Sequence, residues 1–172
     1  ENLESRAVAE WGADAIAALF ADMRPRLVAL RERILGADQP APALTGHFAP
    51  DAQMALGTEI ATAFGYDFGA GRLDRSVHPF TSGAGGDVRI TTRIDPADPL
   101  SNIYAVIHET GHGAYEQGID PAHRLTPVGA GVSMGVHESQ ARLYENQLGR
   151  SEAYCHWLYG AMAARFGDIG VA

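Results

Sequence analysis

Residues 108–112 read His-Glu-Thr-Gly-His, two histidines four positions apart with a carboxylate directly after the first. On a helix, residues i and i+4 stand one above the other on the same face, so His108 and His112 can aim imidazole nitrogens at a single point. Neutral imidazole suits a borderline-soft, redox-silent cation such as zinc, which in catalytic sites takes three protein ligands and keeps a fourth position for water. Glu109 lies about 100° round the helix from His108, beside such an ion rather than beneath it, and from there it can accept a proton from that water. Chance alone produces H-E-x-x-H in a chain of this length on the order of once in a few hundred sequences. The ordinary alternative, two surface histidines on an amphipathic helix, sits badly with Ile103, Val106 and Ile107, which make the segment largely apolar.

A two-histidine site needs a third ligand. Glu138, in "GVSMGVHESQARLYENQLGR", stands across a loop on the next predicted helix, the arrangement of glutamate-liganded zinc peptidases. His137 is a rival, and since adjacent helical residues point about 100° apart only one of the two should face the ion. Glu145, two turns on from Glu138 and on roughly the same face, is a second rival. The bland reading of Glu138 is an ion pair with Arg142 at i+4. Thermolysin-like enzymes place an acid four residues after the glutamate ligand to orient a histidine, but here that position is Arg142. The groups that orient the imidazoles must therefore come from elsewhere, with Glu116, Glu145 and Asp87 as unranked candidates.

The elements that must position these residues can be read from periodicity. Leu3, Ala7, Trp11, Ala15, Leu19, Met23, Leu27, Leu30 and Ile34 recur at helical spacing, and Pro25 is expected to kink or divide that long helix before Gly36 stops it. Pro50 and Asp51 open a second helix running to about Phe64. "GYDFGAGRLDRSVHPFTSGAGG" is too rich in glycine and polar residues for regular structure and is expected as an ordered loop. "DVRITTRI" is the best strand, with Val88, Ile90 and Ile94 facing one way and Asp87, Arg89, Thr91 and Arg93 the other. Ser101 is the expected cap of the helix that carries the histidines. Loop follows from 118 to 130, then helices from about Gly131 to Leu148 and from Glu152 to Phe166. The fold class expected is mainly α, with a small β element before the histidine-bearing helix.

The 172 residues are 46% hydrophobic and 20% charged, a globular composition sized for a single domain spanning 1–172. Twenty-one acids against 13 bases give a net charge of −8, which disfavours nucleic acid or an anionic membrane as partner. The single cysteine, Cys155, cannot form an internal disulfide, and a reducing cytoplasm fits. No apolar run approaches the roughly 18 residues that span a bilayer, and the first twenty residues lack the pattern of a signal peptide. Beginning at Glu1 and ending in "RFGDIGVA", the chain reads as a piece of something longer.

Four stretches stand in order: "HPF" at 78–80, "DVRIT" at 87–91, "HETGH" at 108–112 and "HESQ" at 137–140. With "GRLDRS" just before and "ARLYEN" just after, this series resembles the carboxypeptidase Taq family of zinc metallocarboxypeptidases, densely from about Gly65 to Arg150 and more loosely through the first helices. The resemblance implies removal of single residues from peptide C-termini, a helical fold related to the neurolysin and angiotensin-converting enzymes, and a homodimer. It makes His108, His112 and Glu138 the ligands of one zinc ion, with cobalt or manganese as alternative metals, and Glu109 the general base. It maps "HPF" and "DVRIT" near the cleft, so His78, Phe80, Asp87, Arg89 and Thr91 are candidate substrate residues. For His78 and Phe80 the competing reading is a loop packed on the core. We expect the "DVRIT" strand to lie beside the histidine-bearing helix and to pair with an extended substrate backbone.

Members of that family are much longer, and their later motifs, one with an arginine and one built on Gln-Asp-x-His-Trp, have no counterpart here. "CHW" at 155–157 comes too early and lacks the Gln-Asp. Those missing stretches are expected to hold the substrate carboxylate and stabilise the oxyanion. The competing functions are a zinc endopeptidase or dipeptidase of the same clan, and a metal-binding piece without turnover.

Overall fold

The computed structural model describes residues 12–38, 42–84 and 86–171, and the chain divides into two units, Glu1–Pro42 and Ala43–Ala172. The first unit contains α1, Ala13–Leu35. Leu3, Ala7 and Trp11 of the predicted stripe lie outside the described residues. Pro25 lies inside α1 without dividing it, so of the two outcomes expected at this residue the division does not occur. Proline removes one amide donor, and the surrounding Ala, Leu, Met and Arg residues, all strong helix formers, carry the helix through. Gly36 caps it, its amide donating to the Glu32 carbonyl at 2.9 Å.

The second unit is built around one buried helix. Helix α2, Pro50–Ala63, opens with proline at its first turn, where no amide bond is lost. The glycine-rich stretch expected as loop holds a short 3₁₀ turn at Phe68–Ala70 and two strands, β1 (Leu73–Arg75) and β2 (Thr81–Ala84). Strand β3, Asp87–Thr92, pairs parallel with β1 (Leu73 opposite Ile90) and antiparallel with β2 (Thr81 opposite Ile90), so the sheet order is β1-β3-β2. Val88 and Ile90 turn into the core while Asp87 and Arg89 face outward. The predicted alternation then fails: Thr91 and Thr92 are both buried, and the strand ends before Ile94.

Helix α3, Pro99–Gln117, carries both histidines. Its cap is Asp98, whose carboxylate accepts from the Ser101 amide at 3.2 Å, rather than Ser101 itself. Pro99 at the first helical position explains the shift, since it seats Asp98 one residue before the helix starts. Ile103, Val106 and Ile107 are fully buried against a core shared with Phe48, Leu56, Ile60, Tyr66, Ile90, Leu158 and Met162. A buried polar chain anchors the same helix. The Thr92 hydroxyl donates to Asn102 at 2.7 Å, Asn102 donates to the Gln53 carbonyl at 3.4 Å, and the Gln53 amide of α2 donates to the carbonyls of Phe48 and Asp95 at 2.8 and 2.7 Å.

Helix α4, Met134–Arg142, is capped by Ser133 and continues as a π-helical turn over Leu143–Leu148; helix α5 follows at Glu152–Phe166, capped by Ser151. Helix α4 approaches α3 closely because residue 111 is glycine: a Cβ there would fall 2.7 Å from Ala141 Cα. Among the described residues no helix is long and apolar enough to cross a membrane.

Candidate metal centre

His108 and His112 project one turn apart from α3, their ring centroids 4.8 Å apart, and Glu138 faces them from α4. The Glu138 carboxylate sits between the two rings, Oε2 at 3.7 Å from His108 Nε2 and Oε1 at 3.6 Å from His112 Nε2. One ligand atom from each of the three lies within 4.8 Å of the others. Donors bound to one ion at about 2.0–2.2 Å in tetrahedral geometry stand roughly 3.4 Å apart, so the Glu138 separations of 3.6 and 3.7 Å match a shared cation, while any pair near the 4.8 Å limit would have to close up around it. Two neutral imidazoles and a carboxylate are a donor set that zinc and its neighbours accept.

The two rivals for the third position have other partners. His137 turns away from the cluster, with Nδ1 at 2.9 Å from His112 Nδ1 and Nε2 at 2.7 Å from Glu116 Oε1. Glu145 Oε2 lies 2.9 Å from His108 Nδ1, behind the ligand face. Arg142 pairs with Glu145 at 3.0 Å, and Arg150 reaches the other Glu145 oxygen at 3.4 Å. Of the three candidates for orienting the imidazoles, Glu145 meets His108 directly and Glu116 meets His112 through His137. Asp87 instead pairs with Arg89 at 2.6 Å on the exposed face of β3, and that guanidinium holds its carboxyl below the usual range.

Glu109 is 7% exposed. The Thr81 hydroxyl donates to its Oε2 at 2.7 Å. Burial pushes the Glu109 carboxyl above the ordinary carboxylate range; the Thr81 hydrogen bond and the nearby His108 oppose that rise and Glu138 adds to it. A carboxylate of raised basicity is a better proton acceptor than a solvated one. Burial likewise pushes His112 down, with His108 acting in the same direction, which favours the neutral imidazole a metal needs.

A cleft of about 560 Å³ opens onto these groups, lined by His78, Phe80, Thr81, His108, Glu109, His112 and Glu138 among others. His78 and Phe80 thus stand at the cleft. Asp87, Arg89 and Thr91 do not line it. Thr91 is buried behind the loop, where its hydroxyl accepts from the Phe80 amide at 3.0 Å and so holds that loop in place. The "DVRIT" strand is the middle strand, paired with β1 along Ile90–Thr92 and with β2 along Asp87–Ile90, and β2 rather than β3 lines the cleft. β2 is the edge strand on the cleft side, and Thr81, Ser82 and Gly83 line the opening. Sequence reasoning missed Thr81 together with β2. The one available signal was its position directly after "HPF", since a Thr-Ser-Gly-Ala strand shows no apolar alternation.

A family model described as carboxypeptidase Taq (M32) metallopeptidase matches residues 9–171. The chain is 41% identical over 155 residues to thermostable carboxypeptidase 1 of Thermus thermophilus, covering 88% of this chain and 30% of that protein. It is 38% identical over 160 residues to carboxypeptidase 1 of Bacillus subtilis, covering 89% of this chain and 32% of that one. Among solved structures it superimposes on the M32 carboxypeptidase of Deinococcus radiodurans with a TM-score of 0.85 at 44% identity, covering 90% of this chain and 31% of the other. On metallocarboxypeptidase 1 of Trypanosoma cruzi the TM-score is 0.78 at 34% identity, covering 91% and 32% of the respective chains. The chain thus spans under a third of the length of these relatives, but the family model runs through the whole histidine–glutamate cluster, and the chain belongs to the carboxypeptidase Taq (M32) metallopeptidases.

Proposed function

We propose that this chain is the metal-binding core of a zinc metallocarboxypeptidase that removes residues one at a time from peptide C-termini. The observation that carries the reading is the Glu138 carboxylate lying between the Nε2 atoms of His108 and His112, with Glu109 beside them in the same cleft. The choice of chain end is supported by the likeness to the Thermus and Bacillus proteins, which are named carboxypeptidases. His108, His112 and Glu138 would hold the ion. When bound, zinc supplies a Lewis acid that polarises the scissile carbonyl and lowers the pKa of water from near 16 to about 7.

Glu109 then takes the proton of the attacking water and hands it to the departing amine. Its burial raises its basicity, and the Thr81 hydroxyl keeps Oε2 aimed. The β2 edge presents backbone groups along the cleft, to which an extended peptide can add as a further strand. His78 and Phe80 line the same cleft, which supports a role for them against the peptide.

The homologues' length makes turnover a property to measure on the complete protein, and metal binding one to measure on this chain. Glu109→Gln is expected to retain metal and lose nearly all peptide hydrolysis. Turnover close to wild type in that variant rules out Glu109 as the base. Mass spectrometry of a digested peptide separates the chemistries, since a carboxypeptidase leaves a ladder shortened residue by residue from the C-terminus, whereas internal cuts point to an endopeptidase. Light scattering on the complete protein tests whether it forms a homodimer.

A further inference from the structure

His112 turns its Nε2 toward Glu138 and its Nδ1 toward His137, and the two Nδ1 atoms are 2.9 Å apart. Two imidazole nitrogens at that separation share one proton, so one must donate and the other accept. The far side of His137 decides which. Its Nε2 stands 2.7 Å from Glu116 Oε1, and an ionised carboxylate only accepts, so Nε2 of His137 carries the hydrogen. A neutral His137 protonated there offers a lone pair at Nδ1. His112 must then donate from Nδ1, which leaves its Nε2, the atom facing Glu138, free of hydrogen. The opposite assignment needs a doubly protonated His137 and puts the proton of His112 on Nε2, where no cation can bind.

We infer that Glu116 and His137 are positioning residues, a two-step relay that fixes His112 in the tautomer with a free Nε2. His108 reaches the same end in one step, through Glu145 at 2.9 Å from its Nδ1. The relay is packed on two sides. The Tyr115 ring meets His137 edge-on, centroids 4.6 Å apart at 78°. Gly131 leaves the space the pair occupies: a Cβ there would fall 2.7 Å from His137 Cδ2 and 3.1 Å from Glu116 Oε1. The side chains of Glu116 and His137 are only 16% and 20% exposed, so water does not readily replace either partner.

The inference rests on the reading of His108, His112 and Glu138 as metal ligands, and its test separates the two. Histidine nitrogen NMR on the metal-free chain at mildly alkaline pH reads the tautomers without any substitution. The expected result is His112 protonated at Nδ1 and His137 at Nε2; His112 protonated at Nε2 overturns the relay. Chelator competition then gives zinc affinity. His137→Phe, which removes the acceptor, is expected to weaken zinc binding by about 10- to 100-fold, the usual cost of losing an orienting partner. His137→Asn, which returns an acceptor oxygen, is expected to recover most of that loss. Melting of the metal-free variants shows whether either has merely unfolded. Unchanged affinity in a folded His137→Phe overturns the relay. Failure of the wild-type chain to bind zinc, with the tautomers as stated, overturns the metal reading and leaves the relay standing.

Discussion

Thr81 reaches Glu109 from a different element, its hydroxyl 2.7 Å from Oε2 and 3.1 Å from the Glu109 carbonyl oxygen. The single hydroxyl hydrogen serves the carboxylate at the shorter distance, which stabilises the charged form that burial disfavours. Thr81→Val keeps the shape and removes the donor. We predict that it lowers kcat of the complete protein by about tenfold, near 1.4 kcal/mol of barrier, with KM little changed, as read from steady-state peptide hydrolysis. A kcat equal to wild type would separate Thr81 from the chemistry. Glu145 shows the opposite balance at the same scale. Its carboxylate takes His108 on one oxygen and has Arg142 and Arg150 close by, and its side chain is only 13% exposed, so it is saturated with donors and poorly placed to act as a ligand.

The meeting of α3 and α4 decides whether Glu138 reaches the histidines. Gly111 lets the Ala141 backbone come close enough that a Cβ would fall 2.7 Å from Ala141 Cα, a contact no real Cβ makes and one that backbone cannot relieve cheaply. Gly111→Ala is therefore predicted to push the helices apart at the cost of about 1–3 kcal/mol, seen as a lower melting temperature. It should also weaken zinc binding, because Glu138 moves with α4. A variant that melts like wild type and binds zinc equally would show that the contact carries no such constraint. Strand β2 depends on its neighbour in a different way. Only its pairing with β3 makes a strand of Thr-Ser-Gly-Ala, and that pairing sets Thr81 beside Glu109.

At the scale of the second unit, a cation would tie α3 to α4 through three ligands drawn from both helices. Since an unfolded chain does not offer this cluster preformed, binding energy becomes folding energy. Zinc at a hundred times its dissociation constant is predicted to add about 2.7 kcal/mol, a rise of several degrees in melting temperature that a chelator reverses. Calorimetry with and without chelator checks it, and a melting temperature indifferent to zinc would speak against the site. The effect needs no substrate and no other part of a longer protein.

What the sequence determined by itself is what local geometry governs. Two histidines at i and i+4 share a helix face whatever the helix packs against, and the apolar Ile103, Val106 and Ile107 ensured that this helix would be buried. The helix from Pro50 follows from its opening proline and the helix from Glu152 from its apolar period in the same way. Tertiary structure decided what spacing leaves open. Glu138, His137 and Glu145 lie on one stretch of chain, and only the approach of α4 over Gly111 sorts them into a group facing both Nε2 atoms and two groups facing Nδ1 atoms. The sheet order made β3 central, withdrew Thr91 from the cleft and left Asp87 and Arg89 to pair with each other on its outer face. Those outcomes depend on contacts between residues far apart in the chain, and no periodicity along the chain encodes them.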